Sequence, residues 1–557
     1  MLGLTDAMLD FIVRKQTVDD VLDEAVRRFA GYEALVHPSS GTRRTWRDLF
    51  RETQAVARGL LSIGVDRGEK IALLAPNCPE WVVFLFAAAR IGAVLVPINT
   101  GCQPEELLYL LRQSRSRTLV FFESRYGRDL AAVVEAALPE AAGQQRGCLR
   151  LSAVPELRRM ISLGDAPRSC AWTFAGLKEA GDASLYGSIS SAPVLSSPDE
   201  VVNMQYTSGT TGFPKGVMLT HTGIVNNARS VGRNLGLTER DRVCLPVPLF
   251  HCVGCVLGAL ACACCGAAMV LMNGFSPAPV MAAVQQERCT ALYGVPSFFL
   301  SVLRHRAFSR FSCGTLRTGV IAGAYCPEEL MRDIIGRMGL RDITICYGLT
   351  EGSPVLTQTR PEDSLLSRVA TVGRPLPGVE VSIRSVEEGM ELEAGEEGEI
   401  CCRGYNVMAG YHDMPEETAK AVDAEGWLHT GDLGRMDAEG CLVISGRIKD
   451  MIIRGGENVY PQEIEDFFRS MAGVRDIQVV AVPSVRYGEE VGAFIIPEDG
   501  TRITLEDMRA FSRGRLAWYK MPRHLMLVDD FPRTASGKIM KYRLREMAAA
   551  FGAAAST

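Results

Sequence analysis

The chain has 557 residues, a net charge of −5 and a pI near 6.0, with 47% hydrophobic and 22% charged residues. That length exceeds what one compact core holds, so two or more domains are expected. The charge balance gives no sign of a broad cationic face for nucleic acid or anionic lipid, and anionic substrates would need local positive charge instead.

Along the chain, Met1 to Ala30 carries Asp6, Asp10, Asp19, Asp20 and Glu24 among its apolar residues, which argues against a secretory signal or an acid-poor transit peptide. From Glu69 the pattern alternates. Ile71–Leu74 reads as a buried strand, Glu80–Ile91 as a helix, Ala93–Ile98 as a strand, Glu105–Arg112 as a helix and Thr118–Phe122 as a strand. Repeated strand–helix–strand units predict a parallel sheet with helices on its faces. Residues 141–197 are rich in turn formers and read as a variable connection.

Next comes Thr207-Ser208-Gly209-Thr210-Thr211-Gly212-Phe213-Pro214-Lys215-Gly216. Small residues, hydroxyls, backbone N–H groups and one ammonium together suit a polyphosphate. The spacing is not G-x-x-x-x-G-K-[ST], because Gly216 stands where that motif places a magnesium-binding Ser or Thr. Cys252–Met272 carries no charged residue and is long enough to span a bilayer. Its glycines, alanines and cysteines make it only mildly apolar. A buried helix near Cys252–Cys265 running into a strand at Ala267–Met272 is expected, with no membrane insertion.

A second alternating run follows. Leu292–Val295, Gly319–Ala322 and Thr344–Cys346 read as strands, with helices near Pro279–Arg288, from Ser297 and from Glu328. The turns Gly323-Ala324-Tyr325 and Tyr347–Glu351 fall at strand carboxyl ends, where such sheets bind ligands. From Val372 to Ser445 short β-like pieces predict a small antiparallel barrel. After Arg447 a compact α+β unit is expected, with a helix starting at Pro461. The 17 cysteines form no zinc pattern. They read as reduced, mostly buried thiols of a reducing compartment, which points to the cytoplasm.

Five motifs occur in a fixed order. They are the Thr207–Lys215 loop, Tyr347-Gly348-Leu349-Thr350-Glu351, Trp427-Leu428-His429-Thr430-Gly431-Asp432, Gly446-Arg447-Ile448-Lys449-Asp450 and Pro532-Arg533-Thr534-Ala535-Ser536-Gly537-Lys538-Ile539. In this order the chain resembles the adenylate-forming (AMP-binding) superfamily from about Ala75 to Leu544, and within it most resembles the medium-chain acyl-CoA synthetases. The resemblance implies an α/β fold. A large N-terminal domain at 1–447 would hold two parallel-sheet subdomains and a small antiparallel barrel, followed by a hinge at 448–450 and a mobile α+β domain at 451–557.

It also implies an ATP-dependent acid–CoA ligase using Mg²⁺, with CoA as acceptor and a monomeric or homodimeric chain. Thr207, Ser208, Gly209, Thr210, Thr211, Gly212 and Lys215 would hold the β- and γ-phosphates. Glu351 would bind magnesium, a hard cation suited to carboxylate oxygen, and Thr350 would touch the α-phosphate. Tyr347, Gly348, Gly323 and Ala324 would frame the adenine. Asp432 would bind the ribose hydroxyls, with Arg447 as a second contact. Lys538 would reach the reacting carboxylate, Lys449 would be the hinge, and Gly455 and Gly456 would line the pantetheine path.

For the acid, the resemblance places His251, Cys252, Val253, Val320 and Ala322 at the acyl pocket, with His251 as a gate. Amino-acid-activating relatives carry aspartate at the position of His251, and a buried ammonium without a carboxylate partner is costly. The expected substrate is therefore an uncharged monocarboxylic acid: medium-chain fatty, branched or cyclic. Two other readings stay open: loading of a separate carrier protein or oxidation of the adenylate, and a regulator that binds ATP as a signal. Only 19 residues follow Lys538, so no fused carrier is expected.

Overall fold

The protein is seen in a computed structural model that describes residues 12–125, 128–164, 168–184, 196–207, 214–454, 457–484, 487–513, 515–533 and 539–554. Two compact units divide the chain. One comprises Met1–Val381 with Cys402–Leu428, the other Ser382–Cys401 with His429–Thr557.

The first unit holds two large sheets. The nine-stranded one runs, edge to edge, Arg374–Pro375, Val355–Gln358, Asp342–Gly348, Thr318–Ala322, Ala291–Gly294, Arg242–Leu245, Ala268–Leu271, Glu33–His37 and Thr42–Thr45. Its centre is parallel and both edges are antiparallel. The eight-stranded sheet runs Gly410–Tyr411, Lys215–Thr220, Val201–Thr207, Val94–Pro97, Lys70–Leu74, Thr118–Phe121, Arg159–Ser162 and Trp172–Thr173. Here too the antiparallel pairs lie at one edge.

The central strands are buried along nearly their whole length, as the continuous apolar runs require of parallel strands covered on both faces. The helix Pro79–Arg90 is buried at every position but Glu80, matching a sequence apolar all round. The strands and helices expected from the two alternating runs are all present within a few residues of their expected bounds.

Residues before Glu69, which the periodicity left unassigned, form helices Val18–Phe29 and Trp46–Ser62 around a two-stranded edge. Each helix starts with a capping box, Thr17 with Asp20 and Thr45 with Asp48, which satisfies two otherwise orphaned N–H groups. The uncharged segment after His251 is a π-helical run Val253–Leu260 continuing as an α-helix Ala261–Cys265 and then the strand Ala268–Leu271. No helix among the described residues is long and apolar enough to cross a membrane.

The second unit holds the greater part of a four-stranded sheet, Val379–Arg384, Gly398–Gly404, Leu428–Met436 and Leu442–Arg447. The last two strands pair antiparallel, with Asp432 opposite Arg447. It also holds the sheet Glu457–Val459, Ile452–Arg454, Gly488–Pro497 and Val474–Ser484, with His524–Leu527 lying parallel to Gly488–Pro497. The helix Pro461–Arg469 buries Ile464 and Phe468 in the core beside it, together with Ile452, Ile477, Val479 and Ile495. Proline opens that helix as the sequence suggests.

Candidate active site

In the first unit the strands Val201–Thr207 and Lys215–Thr220 pair antiparallel with Thr207 opposite Lys215, so they deliver both ends of the Ser/Thr/Gly loop to one place. Ser208, Gly209, Thr210, Thr211 and Gly212 lie outside the described residues. The ends are firmly held. The Tyr109 hydroxyl donates to the Pro214 carbonyl at 2.9 Å, and the His412 N–H donates to the Gly216 carbonyl at 2.8 Å.

Lys215 is largely buried. Its ammonium ion-pairs with Glu417 and lies 4.9 Å from the centre of the Tyr411 ring. Lys420 holds the other Glu417 oxygen at 2.9 Å. These two cations bring the Glu417 carboxyl down to about 2. Glu417 thus supplies the anion that pairs with the Lys215 ammonium.

Glu351 sits on a single 3₁₀ turn, Thr350–Gly352, just past the strand Asp342–Gly348. Its Oε1 accepts from the Tyr411 hydroxyl at 2.9 Å and, more weakly, from the Thr207 hydroxyl at 3.5 Å. Among the described residues no hydrogen bond reaches its Oε2. A half-buried carboxylate with one oxygen fixed and the other left over suits a hard divalent cation.

The turn needs Gly348. A Cβ there would lie 1.8 Å from the Pro354 carbonyl oxygen. On the neighbouring strand Ala322 pairs with Cys346, so Gly323 and Tyr347 follow at adjacent strand ends. Gly323 has a φ of +88°, a conformation that favours glycine. Tyr347 is buried, while Gly348 and Ala324 are exposed.

The expected acyl residues begin beside this turn. The Phe250 and His251 ring centres lie 4.7 Å apart, with the ring planes tilted by 52°. The Cys252 thiol donates to Gln205 Oε1 at 3.0 Å, and the Gln205 amide donates to Cys255 Sγ at 3.0 Å. Burial, chiefly, drives the Cys252 thiol well above its ordinary value. Cys255 and the Glu351 carboxylate push the same way, and the Thr350 hydroxyl opposes them. The Cys252 thiol therefore lies within hydrogen-bonding reach of Thr350. Val253 is half-buried. Val320 is fully buried in mid-strand opposite Tyr293, and Ala322 is half-buried at the strand end.

In the second unit Asp432 is 5% exposed and accepts from Arg447 Nε at 2.7 Å across the strand pair. Glu399 holds the turn before it. One oxygen accepts from the Gly431 N–H at 3.0 Å, and the other meets His429 Nδ1 at 2.8 Å. With Cys401 these side chains bring three potential metal-ligating atoms within 4.8 Å, although Glu399 already spends both oxygens on the turn. Lys449 is half-buried on a 3₁₀ turn, and burial together with the nearby Arg447 guanidinium lowers its ammonium below the usual lysine range. Gly455, Gly456 and Lys538 lie outside the described residues; Arg533 and Ile539, on either side of Lys538, pair as an antiparallel bridge.

Sequence reasoning missed Gln205, Glu399, Tyr411 and Glu417. Tyr411 and Glu417 carry no motif, and Glu399 sits in an ordinary β-like stretch. In the first unit a strand pairing brings Tyr411 beside Lys215, and the short helix Pro415–Ala421 that follows carries Glu417.

The sequence profile of the AMP-binding enzyme family matches residues 22–412, and that of the AMP-binding enzyme C-terminal domain matches residues 463–538. The chain belongs to the AMP-binding enzyme family. It is 44% identical over 534 residues to the "Putative acyl-CoA synthetase YngI" of Bacillus subtilis (strain 168), covering 95% of this chain and 96% of that protein. It is 38% identical over 540 residues to the human medium-chain acyl-CoA ligase ACSF2, mitochondrial, covering 96% and 88%.

Among solved structures it is similar to the anthranilate CoA ligase AuaEII in complex with anthranoyl-AMP, with a TM-score of 0.84, 27% identity and coverage of 98% and 99%. It is also similar to ATP-bound MatB from Rhodopseudomonas palustris, with a TM-score of 0.82, 27% identity and coverage of 96% and 99%. The protein is an AMP-forming acyl-CoA synthetase, taking a carboxylic acid, ATP and CoA as substrates.

Proposed function

We propose that the enzyme activates an uncharged monocarboxylic acid of medium size in two steps. In the first, a carboxylate oxygen attacks the α-phosphorus of ATP and pyrophosphate leaves. In the second, the CoA thiol attacks the acyl carbonyl of the adenylate, a thioester forms and AMP leaves. Magnesium, held by Glu351, would neutralise phosphate charge. Lys215 and the loop from Thr207 would position the β- and γ-phosphates, and Thr350 would face the α-phosphate. Tyr347 with Gly323 and Ala324 would take the adenine, Asp432 and Arg447 the ribose side. Lys538 would bind the charge that moves onto the leaving group. Lys449 would be the hinge between residues 1–447 and 451–557, and Gly455-Gly456 would border the pantetheine path. We place the reaction in the cytoplasm.

The substrate class rests on one observation. The Cys252 thiol donates to the neutral Gln205 amide, which is held between Cys252 and Cys255. The segments Val253–Leu257, Tyr293–Phe298 and Val320–Ala322 carry no charged residue. The names of the ACSF2 relatives agree with a medium-chain acid. The test is AMP release across an acid panel, with and without CoA. Saturated or cyclic monocarboxylic acids of roughly four to ten carbons should exceed amino acids and dicarboxylates by more than about a hundredfold, because an unpaired buried charge costs ~3–5 kcal/mol. An amino acid as the best substrate would refute the assignment.

A further inference from the structure

We propose that Tyr411 is a positioning residue that couples Glu351 to Lys215, its hydroxyl fixing the carboxylate and its ring carrying the ammonium. The inference rests on the reading of Glu351 as the magnesium ligand and Lys215 as the triphosphate lysine.

The geometry follows from strand register. Tyr411 lies opposite Val217. Residues 215 and 217 share one face of their strand, so the Tyr411 side chain rises beside that of Lys215. The ring centre is 4.9 Å from Lys215 Nζ, within reach of a cation–π contact. The hydroxyl of the same side chain reaches Glu351 Oε1 at 2.9 Å.

One rigid group therefore touches the two residues that must meet the same nucleotide. Its backbone cannot drift. The Tyr411 N–H donates to Thr418 Oγ1 at 2.9 Å, and the adjoining Ala409 and His412 N–H groups donate to the Met218 and Gly216 carbonyls at 2.9 and 2.8 Å. A phenol ordinarily titrates near pH 10, about three units above neutral, so at neutral pH the hydroxyl is a donor. A hydrogen bond on Oε1 sets the rotation of the Glu351 carboxylate, leaving Oε2 for the cation. Held in this way, the carboxylate need not reorganise when the metal and nucleotide bind.

The test is calorimetric binding of ATP to the full chain, without acid or CoA, once in EDTA and once in magnesium chloride. The wild-type protein should bind more tightly with magnesium. Tyr411→Phe keeps the ring and loses only the hydroxyl. It should bind metal-free ATP within about twofold of wild type but lose about tenfold of the magnesium-dependent tightening, the loss expected of one hydrogen bond to a charged group. Tyr411→Leu should also weaken metal-free binding about threefold, through loss of the platform under Lys215.

Glu351→Gln should lose the same magnesium linkage as Tyr411→Phe, and the double variant should lose little more, since both act through one carboxylate. Thermal melts without nucleotide report whether each variant is folded. Should Tyr411→Phe fail to fold, a Tyr411→Leu chain with full magnesium linkage overturns the proposal. It is equally overturned if Tyr411→Phe keeps the wild-type linkage, or if the two single losses add in the double variant. A wild-type chain whose ATP binding ignores magnesium instead sinks the assignment of Glu351, and this inference with it.

Discussion

Protonation of His221 would cost the fold a hydrogen bond. Its Nδ1 accepts from the Val18 N–H at 2.9 Å, and that N–H opens the helix Val18–Phe29, where it has no partner within the helix. An imidazolium has no lone pair left to accept it. Burial lowers the His221 pKa from 6.5 to about 4, with Glu200 and Asp20 pulling weakly the other way. Between these two values the unfolded chain binds a proton that the folded chain refuses, so stability falls as pH falls. The full contribution is present above pH 6.5 and is lost progressively towards about 4. At ~1.4 kcal/mol per pKa unit the loss is about 3 kcal/mol. His221→Asn keeps an acceptor for the Val18 N–H and removes the titration. Its thermal midpoint should therefore lose less than that of the wild-type protein between pH 6.5 and about 5, the difference between the two being the His221 contribution. Equal slopes for the two proteins would show that His221 is not the group responsible.

Elements were legible where the hydrophobic period was long and uninterrupted. Val94–Pro97, Thr118–Phe121 and Ala268–Leu271 are buried at every position, so their apolar runs are visible without any partner. Edge strands are different. Thr42–Thr45 and Arg374–Pro375 carry polar or charged residues, and only their neighbours make them strands. The same division runs through the candidate residues. Gly323, Tyr347, Glu351 and Asp432 lie in local motifs, so the sequence puts them forward as candidates. Tyr411 and Glu417 reach Glu351 and Lys215 from far along the chain, and no local pattern encodes that meeting. The close approach at Gly348 is also an element-level fact, set by how Val355–Gln358 folds back on Asp342–Gly348. Gly348→Ala would place a Cβ 1.8 Å from the Pro354 carbonyl oxygen, which is backbone and cannot rotate away. Overpacking of this kind costs up to about 3 kcal/mol. We expect a thermal midpoint lowered by several degrees and a raised KM for ATP, because the displaced turn carries Thr350 and Glu351. A variant with wild-type melting and kinetics would mean that the turn is more pliant than its geometry indicates.

At the scale of the whole molecule the two proposed steps ask for different groups. Adenylate formation moves negative charge onto pyrophosphate, and Lys538 is the residue proposed to meet it. Thioester formation, as proposed, would bring a neutral thiol past Gly455-Gly456, where bulk would matter more than charge. Lys538→Ala should therefore depress acid-dependent pyrophosphate exchange by about two to three decades, the ~3–4 kcal/mol typical of a lost transition-state contact. Thioester formation from supplied acyl-adenylate should survive largely intact. Gly456→Leu should do the reverse, because a branched side chain obstructs the pantetheine arm without touching the nucleotide. Lys449 provides the third arm. It occupies a short turn whose next residue, Asp450, ion-pairs with Arg545 and whose own carbonyl accepts from Arg545 Nη2 at 3.1 Å. Proline at 449 would restrict φ there, and if this turn is the hinge it should slow the thioester step while sparing pyrophosphate exchange. Both half-reactions measured on all three variants decide the matter. Equal damage to the two steps in Lys538→Ala and in Gly456→Leu would mean that one fixed arrangement of groups serves both, and the assignment of Lys449 as a hinge would fall with it.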